Sequence, residues 1–117
     1  MKYCDGSGHQ GSRSEPVLYK GAKLYFRGQN ITLATFGEIN QKYGLFNGSV
    51  THLILSGGSA GGLAAYHWTN YIQKNIKSTT NYWSVPDSGI FMDVVNIQTQ
   101  LPTFRMWFEN LLKFSNE

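Results

Sequence analysis

Ser59 lies in the hexapeptide GGSAGG of residues 57–62, after an apolar, β-branched run and before a segment with helical periodicity. A serine at a sharp turn from strand to helix is lifted clear of the sheet, and flanking glycines let the backbone turn without Cβ clashes. The next residue, Ala60, begins the helix, so that its free N–H and the helix dipole can stabilise a developing oxyanion. The motif therefore predicts a nucleophile elbow with half of an oxyanion hole.

Two other interpretations of the same hexapeptide stand beside this one. A glycine-rich turn between a strand and a helix is a common structural device, and consecutive amides at a helix start also bind phosphate. The segment lacks the lysine of a P-loop and the Gly-x-Gly-x-x-Gly spacing of a dinucleotide site. The strand before it and the helix after it favour the nucleophile elbow.

A serine hydroxyl needs a base to take its proton, and in hydrolases with this elbow the acidic residue and the histidine follow the serine. Only His67 follows Ser59, and it lies about 12 Å further along the same predicted helix, at about 1.5 Å per residue. We therefore expect that His67 does not reach the serine. For His52 and His9 a structural or solvent-exposed role is favoured, so the general base is missing.

The acidic residues and the remaining metal-binding side chains give no further catalytic pattern. Asp87 and Asp93 follow the serine, but an aspartate in a glycine turn usually bonds its own backbone. One cysteine and three scattered histidines form no pairs of metal ligands. We expect neither a metal nor a cofactor.

Hydrophobic periodicity predicts three strands and three helices in alternation. In chain order they are strand 23–27, helix 31–43, strand 50–55, helix 60–76, strand 83–85 and a helix that begins at Pro102. This alternation implies the α/β class, with a parallel sheet and flanking helices. We expect strand 50–55 to be central and covered on both faces, because it is a continuous apolar run.

Three further expectations concern the N-terminal segment, the end of one helix and the packing of another. Residues 3–14, rich in Gly and Ser, read as a surface loop rather than part of the core. Gly44 is the expected C-terminal stop of helix 31–43. The last helix carries an apolar stripe at helical spacing, which predicts a face packed in the core. The residues of that stripe are Phe104, Trp107, Phe108, Leu111 and Leu112.

Composition bounds the size of the core and the class of partner. The chain has 117 residues, 41% of them hydrophobic, which suits one modest core in one domain or part of one. The net charge of +3 arises from scattered residues, without the block of like charges that marks a nucleic-acid or membrane-surface patch. No run approaches the roughly 18 apolar residues of a membrane span, and residues 1–11 lack the apolar core of a signal peptide.

Cysteine and glycosylation signals bear on the compartment. Cys4 is the only cysteine, so no disulfide forms within the chain. Two acceptor tripeptides, at residues 30–32 and 47–49, fit a secreted protein.

Four segments of this sequence stand in a characteristic order: YCDGS at 3–7, LYFRG at 24–28, LILSGGSAGGLAA at 53–65 and VPDSGIFMD at 85–93. In motif, order and spacing they resemble the pectin acetylesterase family, which includes the animal Notum carboxylesterases. The resemblance implies an α/β-hydrolase-like fold, secretion and serine esterase chemistry. It further implies an acetylated polysaccharide as substrate, or a fatty-acylated signalling protein in the Notum branch.

The resemblance assigns roles to three residues. It implies that Ser59 is the nucleophile, that the amide of Ala60 helps to form the oxyanion hole, and that Phe91 lines the acyl pocket. A core aromatic is an equally supported interpretation of Phe91. The Gly-Gly-Trp oxyanion segment and the catalytic Asp and His of the family have no counterpart here, and the disulfide partner of Cys4 would lie outside this segment.

We therefore expect residues 1–117 to be the central portion of a single α/β-hydrolase-like domain, which carries the nucleophile and lacks the His base. The expected function of the full-length protein is removal of O-acetyl groups from pectin-like polysaccharides by a secreted serine esterase. The alternatives are a Notum-like protein deacylase and a non-catalytic remnant that serves as a binding or scaffold domain.

Overall fold

The computed structural model describes residues 1–116. Its elements are the strands β1 (Val17–Tyr19) and β2 (Ala22–Leu24), helix α1 (Gly28–Tyr43), strand β3 (His52–Gly58), helix α2 (Ala60–Asn75), strand β4 (Asn81–Asp87) and helix α3 (Thr103–Ser115). The strands form an antiparallel hairpin, β1–β2, and a parallel pair, β3–β4. The α/β class, with a parallel sheet flanked by helices, is confirmed.

The parallel pair positions the serine motif. β3 and β4 run in register from His52 opposite Asn81 to Gly58 opposite Asp87. Because parallel strands need a crossover connection, the chain between them forms α2, which packs on both strands. The helix expected at 60–76 and the strand expected at 83–85 are thus confirmed, and β4 is longer than expected.

Helix α1 confirms the helix expected at 31–43 and begins three residues earlier. It ends where expected, because Gly44 takes a left-handed conformation with φ 71°. The N–H of Gly44 donates a 2.8 Å hydrogen bond to the carbonyl of Asn40. A glycine makes this stop without the steric cost that a side chain would bring.

The segment expected as strand 23–27 lies elsewhere. Only Lys23 and Leu24 are in a strand, and that strand, β2, belongs to the antiparallel hairpin and not to the parallel sheet. The turn of the hairpin has positive φ at both Lys20 (48°) and Gly21 (80°). Two positive φ values at a two-residue turn match the twist of a hairpin, which explains why the chain doubles back here.

Strand β3 is not covered on both faces in residues 1–116. It has β4 as its one neighbour, and its residues alternate between half-buried and exposed. Ile54 is 65% exposed, and Trp83 on β4 is 50% exposed. The expectation of a central strand was wrong for the described residues, because α2 covers one face of the pair and none of them covers the other.

The stripe on the last helix does not lie in a core either. α3 begins after Pro102 as expected, but Phe104, Trp107 and Leu112 are 45%, 48% and 59% exposed. The described residues leave three of the five stripe residues exposed, so the prediction of a core face is wrong for residues 1–116. Its C-terminal end is held by the loop before β1, where the N–H of Ser12 donates to the carbonyl of Ser115 at 3.0 Å.

The loop of residues 3–14 has no regular structure, yet it is not confined to the surface. Asp5, Ser7 and His9 are 9%, 2% and 9% exposed. The Asp5 carboxylate accepts hydrogen bonds from Ser7 and, at 2.6 Å, from the N–H of Gly28. Since Gly28 is the first residue of α1, the loop is buried because it caps that helix.

Candidate active site

Ser59 lies at the junction of β3 and α2 in a strained backbone conformation. Its φ of 52° and ψ of −115° are values that side-chain-bearing residues rarely adopt. Two hydrogen bonds maintain them: the N–H of Ser59 donates to the carbonyl of Asp87 at 3.0 Å, and its own carbonyl accepts from Leu63 at 3.0 Å. Ser59 is exposed, as a nucleophile at a strand-to-helix turn has to be.

Two glycines of the motif make this turn sterically feasible. A Cβ on Gly57 would come within 2.4 Å of the carbonyl oxygen of Gly61, and one on Gly62 within 2.4 Å of the carbonyl oxygen of Asp87. Gly58 and Gly61 are different, because a Cβ would meet nothing closer than 3.9 Å at the first and nothing within 4 Å at the second. The close approach of β3, α2 and β4 at the elbow thus depends on Gly57 and Gly62.

Ala60 begins α2, a helix of 16 residues. No residue of 1–116 accepts a hydrogen bond from its N–H. The N-terminal N–H groups of a helix carry a partial positive charge, so this amide lies where an oxyanion on an acyl group at Ser59 would be stabilised. The geometry is compatible with the role that the sequence predicts for Ala60.

Ser59 and Ala60 line a cavity of about 640 Å³. Its walls come from the end of β3, the inner face of α1, the start of α2 and the N-terminal loop. Tyr3, Phe36 and Trp68 contribute aromatic rings to these walls. The site therefore combines an exposed hydroxyl with an apolar, aromatic recess.

His9 lines the same cavity and is the one histidine that the structure places there. Its ring lies 4.9 Å from the ring of Tyr3, and its carbonyl accepts a 3.2 Å hydrogen bond from Trp68 Nε1. Burial lowers the pKa of His9, and this effect outweighs the charge of Asp5, which raises it. A neutral imidazole is therefore favoured at neutral pH, and the backbone of this residue has a structural role.

The other two histidines lie away from the cavity. His67 packs edge-on against Trp68 at 5.2 Å, and burial lowers its pKa. His52 is exposed at the opposite end of β3 and stacks on Trp83 at 5.9 Å. No hydrogen bond joins any histidine of residues 1–116 to Ser59.

Both aspartates that follow the serine make structural contacts. Asp87 is the last residue of β4; its carboxylate accepts a 3.1 Å hydrogen bond from the Ser88 hydroxyl, and its carbonyl holds Ser59. Asp93 forms an exposed two-point ion pair with Arg105, at 2.5 and 2.9 Å. The sequence did not predict the main-chain role of Asp87, because only the parallel register of β3 and β4 brings this residue beside the elbow.

Phe91 is not brought to the cavity. Its ring packs edge-on against Phe104 at 5.6 Å and Phe108 at 5.5 Å, where the chain after β4 meets α3. A contribution of Phe91 to the acyl pocket stays a prediction.

Residues 1–116 contain neither a metal-binding cluster nor a membrane-spanning helix. No group of three or more His, Cys, Asp or Glu side chains is arranged to hold a metal ion. Within the same residues, no helix has the length and apolar character needed to cross a membrane.

Comparison with known proteins gives a consistent result. The sequence model of the family described as pectinacetylesterase matches residues 1–117. The chain is 30% identical over 112 residues to "Pectin acetylesterase 5" of Arabidopsis thaliana. The aligned region covers 96% of this chain and 25% of that protein. The chain is 33% identical over 92 residues to "Pectin acetylesterase 11" of the same plant, covering 79% and 22%. The chain thus spans about a quarter of the length of these curated relatives. No solved structure matches it.

Proposed function

The chain belongs to the pectinacetylesterase family, and on that premise we propose that the protein carrying it is a serine carboxylesterase that removes O-acetyl groups from a pectin-like polysaccharide. The observation that carries the proposal is the exposed Ser59, held in a strained conformation at a strand-to-helix turn. The names of the two plant relatives support the substrate class. We also propose that the protein acts outside the cell, where such polysaccharides occur.

In the proposed reaction, Ser59 Oγ attacks the carbonyl carbon of the acetyl ester while a base takes its proton. The N–H of Ala60 donates a hydrogen bond to the oxyanion of the tetrahedral intermediate. The sugar alcohol leaves with the proton from the base, and water then hydrolyses the acetyl-serine ester to acetate and free Ser59. This scheme calls for no cofactor.

The base is proposed to be a histidine outside residues 1–117, oriented by an aspartate that also lies outside them. Two observations support this assignment. His9 shares the cavity with Ser59, but no hydrogen bond joins the two residues. His67 and His52 lie elsewhere on the structure, as described above. We expect the 117-residue chain alone to be inactive.

A Notum-like deacylase is the second candidate, and the aromatic walls of the cavity beside Ser59 favour it. Tyr3, Phe36 and Trp68 would provide apolar contacts to a long acyl chain. A polysaccharide acetyl group needs only the small part of this recess nearest to Ser59.

The test uses the product of the complete gene that contains this sequence. Acetate release from acetylated pectin is measured beside hydrolysis of p-nitrophenyl acetate and p-nitrophenyl octanoate. We expect acetate release, and we expect Ser59→Ala to lower turnover by at least about 10³-fold, because the nucleophile is lost. A strong preference for octanoate would favour the deacylase instead.

Two further outcomes separate the remaining interpretations. If the complete protein binds pectin but shows no Ser59-dependent turnover, the non-catalytic remnant is the better description. If the 117-residue chain alone hydrolyses p-nitrophenyl acetate rapidly, and Ser59→Ala abolishes this, the proposal of an external base is wrong.

A further inference from the structure

The two acceptor tripeptides of the sequence lie in different environments. Asn30-Ile31-Thr32 lies in the first turn of α1, whereas Asn47-Gly48-Ser49 lies in the connection between α1 and β3. Asn-x-Ser/Thr tripeptides accept N-linked glycans in proteins that pass through the secretory pathway. A transferase that reads both the asparagine amide and the hydroxyl two residues later has to reach both side chains.

The second tripeptide presents both groups. Asn47 and Ser49 are exposed. The N–H of Ser49 donates a 2.9 Å hydrogen bond to Asn47 Oδ1, which holds the two residues in a tight turn. Gly48, between them, has φ 96° and no side chain to obstruct access. In residues 1–116, Asn47 Nδ2 has no hydrogen-bond partner, so the nitrogen that would be modified is unengaged.

The first tripeptide does not present both groups. Asn30 is exposed, but Thr32 is only 2% exposed. The first turn of α1 is held by the bond from Ile31 N–H to the Arg27 carbonyl at 3.0 Å and by the Asp5 cap on Gly28. Reaching Thr32 therefore requires this turn to unfold.

We propose that Asn47 is the N-glycosylation site of this chain and that Asn30 stays unmodified, an inference that rests on the proposed secretion of the protein. In the transfer, Asn47 Nδ2 gives a proton to a base of the transferase and bonds to C1 of the first sugar of a lipid-linked oligosaccharide. The C1–O bond of the donor breaks, and the lipid pyrophosphate leaves with its electron pair.

The location of Asn47 is compatible with catalysis at Ser59. Asn47 precedes the first residue of β3 and Ser59 follows the last. A strand of seven residues spans roughly 20 Å at about 3.3 Å per residue. A glycan on Asn47 is thus attached near the end of β3 that lies opposite Ser59.

The experiment secretes the complete gene product from eukaryotic cells behind a heterologous signal peptide, so that entry does not depend on the protein's own address. Protein recovered from the medium is treated with peptide-N-glycosidase, which converts a glycosylated asparagine to aspartate. Mass spectrometry then reads residues 47 and 30 separately. We expect conversion at Asn47 and none at Asn30.

Two matched variants test the assignment without replacing the asparagine. Ser49→Ala should abolish conversion at Asn47, whereas Ser49→Thr should retain it. Absence of conversion at Asn47, its persistence in Ser49→Ala, or conversion at Asn30 would overturn the inference.

A third variant separates this inference from the proposed function. Ser59→Ala should carry the glycan without esterase activity. A glycosylated but inactive wild-type protein counts against the proposed function alone, and an active protein without the glycan counts against this inference alone.

Discussion

Ser59 owes its position to neighbours that contribute no catalytic side chain. The carbonyl of Asp87 holds its N–H, and that carbonyl comes close to α2 only because Gly62 has no Cβ. The strain at Ser59, worth about 1–3 kcal/mol for such backbone conformations, is thus maintained by the packing of β4 against the start of α2. Substitution of the glycine should disturb the serine even though the hydroxyl stays in place.

The two glycines that follow Ala60 allow a direct comparison. Gly62→Ala should lower the free energy of unfolding by about 2–3 kcal/mol, because its Cβ meets the carbonyl of Asp87 and either β4 or α2 has to move. Gly61→Ala, the control, should raise it by up to about 1 kcal/mol, since Ala favours helix and its Cβ meets open space. Urea unfolding of both variants measures the difference. Equal stabilities would show that the elbow is not tightly packed.

For single residues, the sequence predicted which side chains matter but not which main-chain groups hold them. Ser59 and Ala60 could be singled out because an elbow is a local pattern of consecutive residues. The role of Asp87 depends on the parallel register of two strands that are separated by a whole helix. A residue that acts through its main-chain carbonyl leaves no signal in its residue type.

Among the elements, the N-terminal loop and α1 depend on each other. α1 has no side-chain cap at Arg27 and no acidic residue in its first turn. Asp5 supplies both functions from a distant part of the chain, since its carboxylate accepts the Gly28 N–H and lies at the positive end of the helix. The cap also fixes the loop that brings His9 to the cavity.

Removing the charge of Asp5 should therefore destabilise more than one element. Asp5→Asn should lower the free energy of unfolding by about 2 kcal/mol, because buried hydrogen bonds to a charged group are weakened. Asp93→Asn is the matched control: its pair with Arg105 is exposed, and such surface pairs contribute little to stability because solvent screens them. Circular dichroism during urea titration gives both values. An Asp5→Asn variant no less stable than Asp93→Asn would contradict the proposed cap.

Elements with a strong local period were the most predictable. α1 and α2 follow from their spacing, and Gly44 ends α1 as expected. The prediction for residues 23–27 was wrong because an aromatic run does not reveal which strand it pairs with. The turn at Lys20 and Gly21 decided that pairing, and it was not recognised.

At the scale of the whole molecule, residues 1–116 leave much apolar surface uncovered. α2 covers one face of the β3–β4 pair, where Leu55 is half-buried, and the other face exposes Ile54, Trp83 and Val85. Much of α3 is exposed as well. Apolar area of this extent is typical of surfaces that pack against further protein. The sequence patterns showed that these residues are apolar, but could not show which partner, within the chain or beyond it, covers them.

A pair of neighbouring substitutions distinguishes the two faces of β3. Leu55→Ala should lower the free energy of unfolding of the 117-residue chain by about 2–3 kcal/mol, because Leu55 faces α2 and the cavity. Ile54→Ala should cost less than about 1 kcal/mol, mainly through strand propensity, since its side chain is 65% exposed. Ile54→Ala should also reduce self-association of the chain, because it removes apolar area from the uncovered face. Urea unfolding measures the stability of both variants, and light scattering after gel filtration measures self-association. A larger stability loss in Ile54→Ala than in Leu55→Ala would show that the core does not lie on the α2 face of the sheet.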